Sequence, residues 1–230
     1  MSVIPSAALG DRIDRDPQDP LRLGRGLALK RSIDLVGAVA GLVLGAPVLG
    51  VLALVVRLRL GRPALFRQER IGRDDRTFTL VKLRSMTDRR GPDGALLPDA
   101  ERLTPLGHVL RSTSLDELPE LWNVACGHMS LVGPRPLPTT YRHRYTTTER
   151  RRHEVRPGLT GWAQVNGRNA VDWDERLAMD VWYVENRSAM LDLRILARTI
   201  GAVFGRGGIS GGGEVTMAEL RPHLADRAHP

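Results

Sequence analysis

Cysteine is almost missing from this 230-residue chain: Cys126 stands alone, so no internal disulfide can form, and the soluble part fits a reducing cytosol. Lysine is nearly as rare, with Lys30 and Lys82 the only two among 34 basic residues. A GC-rich genome accounts for arginine elsewhere and makes the surviving Lys82 conspicuous. Other absences narrow the chemistry. One cysteine and six scattered histidines build no zinc site. There is no Walker phosphate loop, no GxGxxG turn after a strand and no internal repeat. Acids are outnumbered 26 to 34, leaving a net charge of +8. That balance suits a polyanionic partner, whether nucleic acid, anionic lipid or a phosphate-rich substrate.

The strongest positive signal is Leu35 to Val56, 22 residues without a charge. As a straight helix it is about 33 Å long, enough to cross a bilayer. Pro47 divides it into pieces of 12 and 9 residues, about 18 and 14 Å as helices, and neither crosses a hydrocarbon core of about 30 Å. Lys30 and Arg31 precede the run, and Arg57, Arg59 and Arg62 follow it. Basic flanks prefer the cytoplasmic side. Two basic flanks therefore predict a segment that enters the membrane and turns back. Before it, residues 1–29 mix charge with Pro and Gly and read as a disordered tail rather than a cleaved signal peptide.

Beyond residue 63 the pattern changes. Ala64–Phe66 and Thr77–Val81 read as short strands around a turn at Gly72–Asp75. Residues 88–99 read as a polar loop, 101–111 as a helix, and Ser114–Val124 as the start of another. Residues 141–154 place Arg and His on a helical pattern, either a solvated face or a headgroup-binding surface. Residues 156–169 read as a Gly-punctuated loop containing Trp162. Helices follow at 173–186 and 188–204, the second amphipathic and suited to core packing or to a membrane interface.

Asp116 and Glu117 head the segment SLDELPELWNV. Ser114 and Glu117 fit a capping box, and acids favour a helix N-terminus. Arg111 upstream and Arg135 downstream open another reading. A carboxylate among arginines stays ionised, and an ionised aspartate can attack phosphorus. Attack on an anionic diphosphate needs charge neutralisation by arginine, lysine or Mg²⁺. Glycosidase chemistry fits poorly, because adjacent residues do not flank a scissile bond from two sides.

The segments KRSIDLVGA, FRQERIGRDDRTFTLVKLRSM, RSTSLDELPELWNVACGHMSLVGPRPL and RPGLTGWAQVNGR, in this order, resemble the bacterial sugar transferase family of monotopic phosphoglycosyl transferases. The likeness runs from Lys30 to Glu219 and is closest to the small monofunctional members. It implies an enzyme that moves a sugar-1-phosphate from a UDP-sugar to polyprenyl (undecaprenyl) phosphate, releasing UMP through a covalent aspartyl sugar-phosphate. By that resemblance Asp116 is the nucleophile and Glu117 its partner, both with a claim on Mg²⁺. Arg111 and Lys82 join the catalytic cluster. Arg135 and Arg168 bind the nucleotide sugar, and Asp180 matches an acidic position counted with them. The family's membrane break is often Ser-Pro, whereas here it is Ala46-Pro47. The implied fold is mixed α/β, predominantly helical with a small sheet, with an N-terminal re-entrant helix-break-helix and amphipathic interfacial helices. The expected divisions are a tail at 1–29, the re-entrant hairpin at 30–62, a cytosolic catalytic domain at 63–205 and a flexible segment at 206–230. The implied setting is the cytoplasmic face of the bacterial inner membrane. Anionic lipids and downstream glycosyltransferases are the expected partners, and nucleic acid is not. The stretch GISGGGEVTMAEL resembles members that handle N-acetylated amino sugars. The rival reading is a membrane-tethered, non-enzymatic basic module. Such a module gains nothing from acids set among arginines.

Overall fold

The computed structural model describes residues 20–167, 171–204 and 220 of the chain. The apolar run lies in one long helix, α1 (Pro20–Leu60), with Pro47 inside it. One sequence expectation is corrected here. The last residues of the expected tail, from Pro20 onward, are helical, in keeping with proline's tolerance of a first turn. Residues 1–19 lie outside the described residues. Pro47, where the sequence predicts a break, lies inside this one helical element. Proline withholds a single N–H, so the ladder loses one bond while the turns on either side persist.

Both ends of α1 are fastened to the rest of the chain. Near the start, Asp34 accepts from Ser130 Oγ (3.0 Å) and Leu131 N (2.9 Å). Arg31 donates to the carbonyls of Val124 and Ala125. Lys30 reaches Asp192 Oδ2 at 2.6 Å. Gly37 and Gly41, one turn apart, admit Leu131 and Leu121 so closely that a Cβ would stand 2.7 and 2.8 Å from their methyl carbons. Near the end, Val56 is buried with Leu83 and Leu110, and Arg84 donates to the carbonyls of Leu60 and Arg62. Between these anchorages Val43, Leu44, Val48 and Val51 are exposed.

The two expected strands form an antiparallel hairpin, β1 (Leu65–Ile71) with β2 (Thr77–Leu83), longer than the sequence suggested. Its turn holds Asp74 and Asp75 at positive φ, where Asp is better tolerated than most residues. The expected helix at 101–111 is two pieces, α2 (Asp99–Arg102) and α3 (Pro105–Ser112), because Pro105 cannot continue the first. Next come α4 (Glu120–Ala125) and a short strand β3 (Ser130–Val132). The expected helix over 141–154 is a chain of short turns around α5 (Thr147–Arg150). The expected loop at 156–169 contains β4 (Gly158–Thr160), parallel to β3, and α6 (Trp162–Asn166). Trp162 stacks on Trp182 with ring centroids 4.6 Å apart. The two helices α7 (Trp173–Asn186) and α8 (Ala189–Phe204) stand where periodicity put them. On α8, Leu191 and Ile195 are buried, while Met190, Leu193 and Ile200 are exposed. Leu220 is buried with Ile71, Leu137, Tyr145 and Leu177. That residue is therefore packed, in correction of the flexible reading of 206–230, whose other residues lie outside the described set.

The basic stretch is neither simply solvated nor simply a surface: Arg152 and His153 are buried. His153 Nδ1 lies 2.7 Å from Asp75 Oδ1, off the line of a good hydrogen bond. Burial, and then Arg152, push the imidazole down to about 4 despite Asp75. The folded protein therefore keeps His153 neutral below the pH at which the unfolded chain protonates it. Stability tied to this group is complete above about pH 6.5 and is lost as pH falls toward 4, by roughly 3 kcal/mol at most. Thermal melting of the detergent-solubilised protein is expected to show a falling midpoint across that window, with a shallower fall in His153→Gln.

Candidate active site

The site is built from three places in the chain. β2 delivers Lys82, and Asn123 locks that strand to α4 by accepting from Val81 N (3.1 Å) and donating to Thr79 O (2.7 Å). Between α3 and α4 the chain reverses at Ser114 (φ 56°) and makes a 3-10 turn over Leu115–Glu117. Ser114 makes no side-chain cap, so the capping box expected from the sequence is absent. Pro119 explains this: it has no N–H for a helix begun at residue 114, and α4 starts only after it. The third contribution is the Gly133-Pro134-Arg135-Pro136 segment after β3.

These elements bring charges together. Glu117 Oε1 accepts from Lys82 Nζ at 2.7 Å and from Arg135 Nη2 at 2.6 Å. Lys82 Nζ also lies 2.9 Å from Glu120 Oε1. Arg111 is set beside the turn by α3, where it donates from Nε to Ser85 Oγ at 3.0 Å. α3 can press onto that segment because residue 107 is glycine; a Cβ there would fall 1.8 Å from Ser85 O. Asp116 is only 7 % exposed, and among the described residues its side chain has no hydrogen bond or ion pair. The acid that the sequence singled out thus stands free beside a neighbour whose charge is already matched.

The electrostatics separate the acids. Burial acts to raise Glu117, but Arg135 and Lys82 outweigh it and hold the carboxyl at about 2. Glu117 in turn raises Arg135, which stays protonated. Burial, the largest influence, raises Asp116 above its ordinary value; Lys82 pulls against it, and Glu117 pushes with it. The expectation that arginines would keep the dyad ionised therefore holds for Glu117, whereas burial dominates at Asp116. Glu120, 2 % exposed, is also raised by burial, with Lys82 opposing.

Lys82, Arg111, Asp116, Glu117 and Arg135 are brought together as the sequence suggested. Arg168 lies outside the described residues. Asp180 is buried and paired with Arg152 at 2.7 Å, with no hydrogen bond or ion pair to the cluster among the described residues. Sequence reasoning missed Glu120 and Arg70. Glu120 follows Glu117 by three residues, a spacing that puts side chains on one face of a helical turn. Arg70 shares the extended FRQER strand and donates to the Pro136 carbonyl at 3.1 Å. Burial and nearby Arg135 lower its guanidinium to about 10.

A divalent cation fits this donor set only in part. Among the described residues there is no group of three or more His, Cys, Asp or Glu arranged to hold a metal. Mg²⁺ commonly takes one or two carboxylates and completes its shell with water and substrate phosphates. Asp116, without a partner, and Glu117, whose hydrogen bonds both fall on one oxygen, meet that lower requirement.

Comparison with known proteins gives this geometry a family. The profile described as "Bacterial sugar transferase" matches residues 25–206. An uncharacterized sugar transferase of Bacillus subtilis (strain 168) is 48% identical over 190 residues, 83% of this chain and 94% of its own length. A UDP-glucose:undecaprenyl-phosphate glucose-1-phosphate transferase of Caulobacter vibrioides is 42% identical over 181 residues, 74% of this chain and 68% of its own. A UDP-galactose-lipid carrier transferase of Erwinia amylovora is 41% identical over 211 residues; the match takes in 82% of this chain but only 44% of that longer protein. The match covers nearly all of the described fold, including every residue of the charged cluster, and on that ground the chain belongs to the bacterial sugar transferase family.

Proposed function

We propose that this chain is a phosphoglycosyl transferase that moves a sugar-1-phosphate from a UDP-sugar to undecaprenyl phosphate. The observation that carries the reading is the unpartnered Asp116 carboxylate beside the neutralised Glu117–Lys82–Arg135 group. Relatives named for undecaprenyl-phosphate sugar-phosphate transfer support the substrate class.

In this reading an oxygen of Asp116 attacks the sugar-bearing phosphorus of the donor. The bond from that phosphorus to the bridging oxygen breaks, and UMP leaves with that oxygen. Asp116 then carries the sugar phosphate as an acyl phosphate. An oxygen of the lipid phosphate attacks the same phosphorus, the aspartate oxygen leaves, and the product is polyprenyl diphosphate sugar. Glu117 keeps Lys82 and Arg135 at the site, where their charge offsets that of the donor diphosphate. Mg²⁺ on Asp116 and Glu117 would add the neutralisation that two phosphates beside two carboxylates require.

The same reading sets the chain on the cytoplasmic face of the inner membrane, where a nucleotide sugar is available. α1 contains the one helix segment among the described residues long and apolar enough to cross a membrane, Gly26–Leu60. Its two ends, however, dock on one domain through Arg31, Asp34 and Ala38 on one side and Val56 and Leu60 on the other. A crossing helix would put about 30 Å of hydrocarbon between those anchorages. In this reading α1 bends at Pro47, dips into the leaflet and returns, with Arg57, Arg59 and Arg62 at anionic headgroups. The exposed Met190, Leu193 and Ile200 of α8 lie at the same interface. Downstream glycosyltransferases would take the lipid product. Of the stretch that hints at an N-acetylated amino sugar, only Leu220 is among the described residues.

Asp116→Asn is expected to cut UMP release from UDP-sugar at least 100-fold without lowering the melting midpoint, since the amide keeps the side chain's size but is no nucleophile. Intact-mass analysis with donor and no lipid should show a sugar-phosphate adduct in the native chain and none in this variant; residual activity of more than a few per cent removes Asp116 from that role. Excess chelator is expected to abolish turnover and added Mg²⁺ to restore it, and full activity in chelator would end the metal assignment. In a Cys126→Ser background, Ala28→Cys and Asp93→Cys should both resist an impermeant maleimide on intact cells. Labelling at Ala28→Cys alone would mean that α1 crosses.

A further inference from the structure

Arg152 and Asp180 form an ion pair sealed away from water, with side chains 2 and 4 % exposed. Such a pair is a weak contributor to stability, because two desolvated charges do little better than an apolar pair of the same volume. Its geometry points to another role. Arg152 donates from Nε (3.0 Å) and Nη2 (2.7 Å) to one oxygen of Asp180. From Nη2 it also donates to the backbone carbonyl of Arg135 at 2.7 Å. Tyr145 closes the far side, its hydroxyl 3.4 Å from Nη1.

That carbonyl belongs to a segment with unusual needs. Pro134 and Pro136 have no N–H, so the backbone around Arg135 can be held mainly by its carbonyls. Four in succession are held, each from a different donor. Pro134 O accepts from Gly158 N (2.9 Å) and Leu137 O from Ile71 N (3.0 Å). The two in the middle, on Arg135 and Pro136, accept from the arginine side chains Arg152 and Arg70. The side chain that this segment presents is Arg135, whose guanidinium meets Glu117 at 2.6 Å. Planar guanidinium recognition depends on orientation, so a loosened backbone would lose it.

We propose that Arg152 and Asp180 are positioning residues for Arg135: Asp180 fixes the Arg152 fork, and Arg152 holds the Arg135 carbonyl so that the Arg135 guanidinium is aimed at the donor diphosphate. The inference rests on the reading of Arg135 as a diphosphate-binding residue. It places Asp180 one residue removed from the substrate rather than against it.

The test is a double-mutant cycle on the full chain in lipid nanodiscs with Mg²⁺, with UDP as the probe and its Kd as the readout. Arg135→Met is expected to weaken UDP about 10-fold. The paired apolar replacement Arg152→Met with Asp180→Leu fills the same space and is expected to keep the melting midpoint while also weakening UDP about 10-fold. All three substitutions together should weaken it no more than Arg135→Met alone, because the pair acts only through that side chain. An unchanged Kd in Arg135→Met would overturn the reading of Arg135 and the inference with it. If Arg135→Met weakens UDP but the paired replacement does not, or if the two effects multiply to about 100-fold, the inference fails and the reading of Arg135 stands. Should the paired replacement not fold, Asp180→Asn takes its place in the cycle. Loss of the melting transition there as well would make the pair a folding element and overturn its positioning role.

Discussion

Glu117 is the junction on which the site depends. One of its oxygens receives Lys82 from the β1–β2 hairpin and Arg135 from the segment after β3, and the residue itself sits on the turn that joins α3 to α4. Three stretches distant in sequence are thus tied through one carboxylate. Without Glu117, Lys82 would keep Glu120, but Arg135 would lose its only ion-pair partner among the described residues. The tie also sorts the acids: Glu117 takes the cations directly, so the adjacent Asp116 is left without a partner and available to a substrate. A group already committed to two cations is a poor nucleophile, and a free neighbour in their field is a better one.

The helix α1 ties this site to the long apolar segment. The groove of Gly37 and Gly41 seats Leu121, on the α4 helix that follows the Asp116 turn, and Leu131, on the β3 strand that precedes the Arg135 segment. Arg31 satisfies carbonyls at the end of α4, where a short helix leaves its last acceptors unpaired. The long apolar helix and the Asp116–Glu117 turn are therefore joined through packed side chains rather than by a linker alone. On the proposed function, a lipid phosphate whose tail stays in the bilayer needs that constancy.

The parts legible in the sequence were those decided locally or marked by composition. The apolar run, the β-hairpin around Gly72, the helices α7 and α8 and the charged segment SLDEL each carry a short-range signal. The misreadings also have local causes. Ser114 and Glu117 have capping-box spacing, but Pro119 prevents the helix they would cap. The Arg and His residues over 141–154 have helical spacing, yet Arg152 and His153 turn inward to Asp180 and Asp75 because those acids lie across the fold. β3 and β4 are three residues each, too short for alternation to show, and they exist by pairing with each other.

By itself, the sequence determined the residue types of the site, the family likeness and the presence of one membrane-seeking segment, because each is written in contiguous residues. It also determined that Pro134 and Pro136 would leave their backbone without donors. Only the tertiary structure decided which acid is free and which is bound, since Lys82, Arg135 and Glu117 meet across separations that no local pattern encodes. It likewise decided that Asp180 is buried against Arg152, which holds the Arg135 carbonyl, and that Glu120 joins the cluster. Those outcomes depend on which charges share a desolvated space, and only the packed chain brings them into it.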